Sequence, residues 1–101
     1  MADKIHLSII SADGVKLDQM VGYVCIPAER GAVGVLANHM PMLCAVKEGS
    51  LEYRFGQNET DSFLVKDGIA SVCENEVSLL VAYAERVSAD AQTGKREDNL
   101  S

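Results

Sequence analysis

The chain has 101 residues, a formal net charge of −6, few aromatic residues and no Trp. This length is typical of one domain with a single core. An acidic chain repels phosphate backbones and anionic lipid head groups, and scarce aromatics leave little for bases to stack on, so we expect no nucleic-acid binding. No stretch approaches the roughly 18 apolar residues of a membrane span. The N-terminus lacks the apolar core of a signal peptide. We therefore expect no direct membrane insertion.

Short apolar or alternating segments, each bounded by turn residues, follow one another from the N-terminus to residue 83. A spacing of ~8–12 residues between such segments is typical of an antiparallel sandwich or barrel. Two Asp-Gly pairs, Asp13-Gly14 and Asp67-Gly68, predict turns. The sequence predicts strands at residues 5–9, 15–18, 20–26, 33–36, 42–46, 51–55, 62–66, 69–73 and 77–83.

The composition changes after residue 83. Residues 84–92 could form one or two helical turns, and the segment from Gly94 is purely polar until Leu100. Such a segment has too little apolar surface to offset the entropy of ordering it. We expect an all-β domain over residues 1–86, an antiparallel β-sandwich of about nine to ten short strands, and a short, partly disordered polar tail over residues 87–101.

The stretch at residues 30–43 is the least ordinary part of the chain. Gly31 and Gly34 flank a short apolar run, and a polar turn closed by Pro41 follows. Glycines near a short strand suggest a bulge or tight corner. Pro41 lacks an N–H and restricts Met40 to extended angles, so no helix passes through this point. The stretch predicts a shaped, exposed corner between two strands.

The residues that usually carry chemistry are sparse. Two histidines lie far apart and form no metal-binding motif, and no nucleotide-binding or nucleophile motif is present. The three cysteines, Cys25, Cys44 and Cys73, form no C-x-x-C pair and lie in apolar runs, which indicates buried, reduced thiols. We expect no catalytic residue, no metal and no cofactor.

His39 has two interpretations. It is either an exposed turn histidine that hydrogen-bonds its own loop, or a contact residue of a protein interface. The second is favoured because the corner is shaped by glycines and flanked by apolar candidates for exposure, Val33, Met40 and Met42. Methionine is common at adaptable interfaces, although filling the core is an equally good explanation for Met42.

Four motifs carry a family resemblance between residues 5 and 86. They are His6-Leu7-Ser8-Ile9-Ile10-Ser11-Ala12-Asp13-Gly14, the stretch Gly31-Ala32-Val33-Gly34-Val35-Leu36-Ala37-Asn38-His39-Met40-Pro41-Met42-Leu43, the triplet Lys47-Glu48-Gly49, and residues 67–82. Ala84-Glu85-Arg86 closes the match. In this order they resemble the N-terminal domain of the epsilon subunit of F-type ATP synthases.

The resemblance implies a ten-strand β-sandwich with a mechanical role. It would dock on the gamma subunit of the central stalk and rest on the polar loops of the c-ring, so that ion flow is coupled to ATP synthesis without catalysis by this chain. By resemblance, the surface facing the c-ring comprises Arg30, Gly31, Ala32, Val33 and Asn38, and the surface facing gamma comprises Ser11, His39, Met40 and Cys44. The protein would lie peripherally on the cytoplasmic side of the energy-transducing membrane, or its stromal or matrix equivalent.

Three departures from the family pattern qualify these expectations. Many relatives carry an acidic residue at the position of Ala32, where it can meet the c-ring loop; Ala32 cannot make this polar contact, and Arg30 would supply a charge instead. The first glycine of a Gly-Gly pair is Asp67 here. Only 18 residues follow Tyr83, too few for the helical hairpin of relatives, so we expect no nucleotide binding. The alternative function is a free-standing sandwich that binds a small ligand, which would require a concave pocket lined by aromatic residues.

Overall fold

A computed structural model describes residues 4–87, which form eight strands joined by short turns and loops. The all-β prediction is confirmed, and the described residues contain no helix that could span a membrane. Most of the predicted tail, residues 88–101, lies outside the described range. The strands are β1 (Ile5–Ser11), β2 (Gly14–Val21), β3 (Tyr23–Ala28), β4 (Gly31–Val35), β5 (Met42–Val46), β6 (Gly49–Phe55), β7 (Glu59–Cys73) and β8 (Glu76–Val87).

Two long strands, β7 and β8, run through both layers of the sandwich. The first layer has the order β2-β1-β8-β7-β5, with β1 and β8 parallel and every other pair antiparallel. In the second layer, β4 pairs with β3, β3 with β6, β6 with the first half of β7, and β7 with the end of β8. Each long strand therefore counts once in each layer, so eight continuous strands provide the ten strand segments implied by the resemblance.

The predicted turn at Asp67-Gly68 is wrong, because both residues lie inside the continuous strand β7. The β7–β8 register passes from Lys66–Tyr83 to Gly68–Val81, so Asp67 has no Cα partner and the ladder is interrupted there. Asp67 adopts a φ of 52°. The pair thus forms a bend that takes β7 from one layer to the other, a role that Asp-Gly can also fill because both residues tolerate unusual backbone angles.

Three other boundaries differ from the sequence-based prediction. Gly22 divides the single strand predicted at residues 20–26 into β2 and β3. Pro27 lies within β3 rather than ending it; its carbonyl accepts a hydrogen bond from the N–H of Lys47 at 2.9 Å. The last strand continues to Val87, so residues 84–87 are extended rather than helical. Residues 88–92 of that predicted helical turn lie outside the described residues.

The core lies between the two layers and is built from alternate residues of each strand. Tyr53 is 1% exposed and lies 6.4 Å from the Phe63 ring, measured between ring centroids. The Arg86 guanidinium closes this end of the core: it lies 5.1 Å from the Phe63 ring centroid, donates to the Tyr53 hydroxyl at 3.2 Å and pairs with Asp61. The prediction that Leu51, Tyr53 and Phe55 share one face is confirmed, since all three belong to or pack on the core.

The cysteines are less buried than the sequence indicates. All three are free thiols, but Cys25 and Cys44 are half-buried and Cys73 is exposed. Cys73 is the last residue of β7 and faces away from the core, opposite to its neighbour Val72. Apolar composition misled the prediction here, because the strands that carry these thiols are apolar on both faces.

Candidate interaction surface

The predicted corner, residues 30–43, extends from the start of β5 back through the β4–β5 loop and β4 to the tip of the β3–β4 hairpin. Arg30 lies in the hairpin turn, Gly31 opens β4 with a φ of 130°, and Arg30, Gly31 and Ala32 are exposed. Val33 is half-buried and packs against the core, so it is not the exposed residue that the sequence suggested. Between this hairpin and β5 lies a groove of about 460 Å³, lined by residues 28–33 and 42–45.

The groove brings together residues that the resemblance assigns to different partners. Arg30, Gly31, Ala32 and Val33 line one side, and Cys44 lines the other. Cys44 packs against the core, and burial raises the pKa of its thiol above the usual range. The thiol is therefore held in its protonated form, and it offers a partner a small apolar contact rather than a nucleophile.

Asn38, His39 and Met40 lie together on the β4–β5 loop, away from Arg30. Asn38 adopts a φ of 67°, and its N–H donates to the side-chain oxygen of Asn75 at 2.6 Å, which ties this loop to the β7–β8 turn. The His39 Nδ1 donates to the carbonyl of Met40 at 2.7 Å. His39 thus makes the hydrogen bond of the simpler interpretation, while Met40, 71% exposed, presents an apolar side chain beside it. Met42 packs against the core.

Ser11 lies at the other end of β1 from this loop. It is 9% exposed, and its hydroxyl accepts a hydrogen bond from the N–H of Asp13 at 3.3 Å within the β1–β2 turn. A buried turn-forming hydroxyl has little surface to offer a partner. The residues on either side of the turn that do face solvent are Ile10 and Val15, which form a Cα pair.

Ile10 and Val15 begin an apolar row that crosses the outer face of the first layer. The row follows the register from strand to strand, one residue per strand: Val15, Ile10, Leu80, Ile69 and Ala45. Val15, Leu80 and Ile69 are 65%, 58% and 51% exposed. We call these five residues the apolar row.

A second row runs beside the apolar row and consists mostly of serines. Its members in register are Asp18, Ser8, Ser78, Ser71 and Leu43. Leu43 is 72% exposed and also lines the groove, so it joins the outer face to the corner. Serines are too small to screen the apolar row from a partner. The centre of this face, formed by three serines beside Ile10, Leu80 and Ile69, is therefore uncharged.

The outer face of the second layer has the opposite character. It carries charged and polar side chains, including Ser50, Glu52 and Arg54 on β6, and the Arg54 guanidinium lies 5.0 Å from the Tyr23 ring centroid. Antiparallel sheets commonly alternate apolar residues inward with polar residues outward. The second layer follows that rule, and the apolar row of the first layer departs from it. Contiguous exposed apolar patches mark protein interfaces in soluble proteins.

Sequence reasoning missed the apolar row because it had no means to orient the strands that form it. In β5, β7 and β8, apolar residues occupy both inward and outward positions, so alternation is absent. One signal was available: on β1, β7 and β8 a large apolar residue lies two positions from a serine, and residues two apart on a strand face the same side. The pairs are Ser8 and Ile10, Ser71 and Ile69, and Ser78 and Leu80. Using that signal requires the strand register, which the sequence did not supply.

Comparison with known proteins agrees with this architecture. Residues 4–87 match the family model of the ATP synthase delta/epsilon chain beta-sandwich domain. The chain belongs to this family. The ATP synthase epsilon chain of Nitratidesulfovibrio vulgaris (strain Miyazaki F) is 40% identical over 86 residues, which cover 85% of this chain and 63% of the relative. That of Maridesulfovibrio salexigens is 40% identical over 86 residues, covering 85% and 60%. The chain thus spans about three-fifths of the length of these relatives.

Two solved structures share the fold. A chain of the Euglena gracilis mitochondrial ATP synthase superimposes with a TM-score of 0.79 at 21% identity, covering 97% of this chain and 64% of that one. A chain of the central stalk and c-ring of the Tetrahymena thermophila mitochondrial ATP synthase gives a TM-score of 0.68 at 16% identity, covering 83% and 67%. At these identities the likeness establishes the fold.

Proposed function

We propose that this chain is the sandwich portion of an epsilon subunit of a rotary F-type ATP synthase. In this role it performs no catalysis. It docks on the gamma subunit and on the c-ring loops, and it helps couple ion translocation to ATP synthesis from a peripheral position on the cytoplasmic side of the membrane or its organellar equivalent. Family membership supports the assignment to the complex.

The observation that carries the proposal is the outer face of the first layer, whose centre carries no charged side chain. Its apolar row exposes about half or more of Val15, Leu80 and Ile69. Covering such a row with a partner would stabilise the complex by about 25 cal/mol for each Å² of apolar surface removed from water. A stalk subunit that is permanently docked would have this surface covered, and the polar face of the second layer would remain in contact with water.

The corner supports the second contact of the proposal, with the c-ring. Arg30, Gly31 and Ala32 project at the tip of the β3–β4 hairpin, away from the centre of the apolar row. Ala32 cannot form a polar contact through its side chain, so Arg30 is the residue that we propose meets the polar c-ring loop. Exposed charges of this kind contribute more to orientation than to affinity.

A paired substitution tests the docking face. Leu80→Lys places a charge in the middle of the apolar row, and Ser50→Lys places the same charge on the outer face of the second layer. A central residue of a well-packed interface is worth about 2 kcal/mol or more, so Leu80→Lys should weaken binding to gamma by about 30-fold or more. Ser50→Lys should leave binding unchanged. Equal affinities of the two variants, measured by calorimetry, would mean that the row is not the docking face.

The ligand-binding alternative receives no support from the groove at the corner. It is concave and mainly apolar, but none of Tyr23, Tyr53, Phe55, Phe63 or Tyr83 contributes to its lining. Its polar groups are limited to the backbone and the exposed side chains of Glu29 and Arg30. A site for a small ligand usually combines aromatic walls with several converging polar groups.

A further inference from the structure

His6 lies between two carboxylates on neighbouring strands. It faces outward from β1, with 34% of its side chain exposed, at the rim of the outer face. Its Nε2 is 2.5 Å from Asp18 Oδ1 on β2, and its Nδ1 is 3.1 Å from Glu76 Oε1 on β8. One imidazole ring therefore bridges three adjacent strands. We call His6, Asp18 and Glu76 the His6 clamp.

The geometry of the His6 clamp requires a particular protonation state. An ionised carboxylate only accepts hydrogen bonds, and a neutral imidazole has one donor and one acceptor nitrogen. In the neutral ring, one nitrogen lone pair would face a carboxylate oxygen at hydrogen-bonding distance. Both contacts are satisfied together only when both nitrogens carry a proton. The hydrogen bonds that the ring donates to Asp18 and Glu76 accordingly raise the pKa of His6 above its ordinary value of 6.5.

Within residues 4–87, no lysine or arginine pairs with Asp18 or Glu76. On β2, Lys16 pairs with Asp13 at 3.1 Å, at the far end of the strand from His6. In the β7–β8 hairpin, Cys73 is in register with Glu76, and Glu74 lies in the turn between them. The main chain of His6 is also fixed there, since its N–H donates to the carbonyl of Asn75 at 2.9 Å. Lys4 is exposed at the start of β1.

The His6 clamp bears on an edge strand. Within residues 4–87, β2 pairs only with β1, so it is one edge of the first layer. Asp18 belongs to this edge strand and Glu76 to the interior strand β8, and the imidazolium joins the two across β1. The side-chain link through His6 connects β2 to β8, one strand beyond its paired neighbour β1. It therefore restrains the edge strand in addition to the backbone hydrogen bonds between β2 and β1.

We propose that the His6 clamp is a pH-sensitive device that holds edge strand β2, and with it one rim of the outer face, in place. When His6 is protonated, the clamp is closed. When the ring loses its proton, one of the two contacts becomes a lone pair facing a carboxylate, whichever nitrogen keeps its proton, so the link from β2 through His6 to β8 is broken and β2 is held through β1 alone. The device concerns the chain by itself and extends beyond the proposed docking function.

The sign of the effect follows from the direction of the shift. A histidine whose pKa is higher in the folded chain than in the unfolded chain stabilises the folded state when it is protonated. That stabilisation is complete below the unfolded pKa, near 6.5, and it is lost as the pH rises through the raised folded pKa. The clamp therefore opens as the pH rises through the raised folded pKa of His6, and it closes as the pH falls back through that pKa.

Titration of the His6 ring by NMR in the full chain tests the protonation state. Replacing His6 by Gln identifies the signal. We expect a midpoint above 6.5, lowered by Glu76→Gln and by Asp18→Asn, whereas Asp13→Asn, the matched carboxylate removal on the same hairpin, leaves it unchanged. A midpoint at or below 6.5, or one that neither Glu76→Gln nor Asp18→Asn lowers, would overturn the proposal.

Amide hydrogen exchange tests whether the clamp holds the strand. After correction for intrinsic exchange, the protection of β2 amides relative to those of β8 should fall as the pH rises through the His6 midpoint. In the His6→Gln chain, this pH dependence should be absent. The same dependence in both chains would refute the device. Because neither measurement involves the gamma subunit, a negative result here leaves the docking proposal untouched, and the reverse also holds.

Discussion

Gly68 offers the sharpest test of how the two layers are joined. It lies at the bend of β7, in register with Val81 of β8 and Val46 of β5. A Cβ at this position would lie 2.0 Å from the Leu80 carbonyl oxygen and 2.7 Å from the Val81 Cα, against ordinary contacts of 3.4–4 Å. Both obstructing atoms are backbone, so no side-chain rotation relieves them, and β7 and β8 would have to separate by more than 1 Å. Overpacking of this kind costs about 3 kcal/mol or more.

The Gly68→Ala chain should therefore unfold about 12–24 °C below the parent, since each kcal/mol lowers the melting temperature of a small domain by roughly 4–8 °C. Gly34→Ala is the matched control: its Cβ would meet the hydroxyl of Tyr23 at 2.8 Å, the far end of a side chain that can move aside. Thermal melts followed by circular dichroism give both values. Equal losses in the two variants, or a loss under about 1 kcal/mol for Gly68→Ala, would refute the argument that the close backbone approach requires glycine.

The remaining predictions concern turns and the corner loop. Glu74 and Asn75 both adopt positive φ, 52° and 63°, in the β7–β8 turn. Glu74→Asn should raise the free energy of unfolding by about 0.5–1 kcal/mol, because Asn tolerates this conformation better than Glu. A lower free energy of unfolding in urea melts would contradict this. At Asp67, with a φ of 52°, the Gly variant should be more stable than the Ala variant by about 1 kcal/mol; the reverse order would remove the left-handed bend from the account. Replacing His39 and Met40 together by Asp should change stability by less than about 0.5 kcal/mol but weaken gamma binding, and a large fall in melting temperature would show that the loop is part of the core.

The parts of the fold that followed from sequence are those in which one face of a strand is apolar and the other polar. Alternation on β1 correctly oriented Leu7 and Ile9 inward and His6 and Ser8 outward, and alternation on β6 did the same for Leu51 and Tyr53. Where polarity alternates, a register shift of one residue would bury polar groups, so the pattern determines the orientation.

Two kinds of feature could not be predicted from the sequence: the orientation of strands that are apolar on both faces, and the role of a residue pair that occurs both in hairpin turns and in strand bends. Leu43 and Leu80 are outward-facing, but nothing in the composition of β5 or β8 separates them from their buried neighbours. Asp67-Gly68 has the residues of a hairpin turn, yet the pairing of β7 with β5, β6 and β8 keeps the strand continuous through it. Hydrogen-bonded pairing with these three strands outweighs the local turn preference, and this pairing is a property of the tertiary fold.

The site residues show the same division. The exposed stretch at residues 30–43 was predicted from its glycines and Pro41, and the structure places Arg30, Gly31 and Ala32 at the tip of the β3–β4 hairpin. The residues of the apolar row were not identified, because they come from five strands that are brought together only by register. The interface residues inferred by resemblance remain predictions, with Ser11 the least suited to direct contact because of its burial.

Co-expression of this chain with the gamma subunit from the same genome, followed by size-exclusion chromatography with mass determination, tests the assignment to the central stalk. We expect a stable one-to-one complex with the parent chain and with Ser50→Lys, and loss or marked weakening of that complex with Leu80→Lys. Two folded chains that elute separately would contradict the assignment to the central stalk. In that case only the sandwich fold would stand, and the ligand-binding module would become the leading hypothesis.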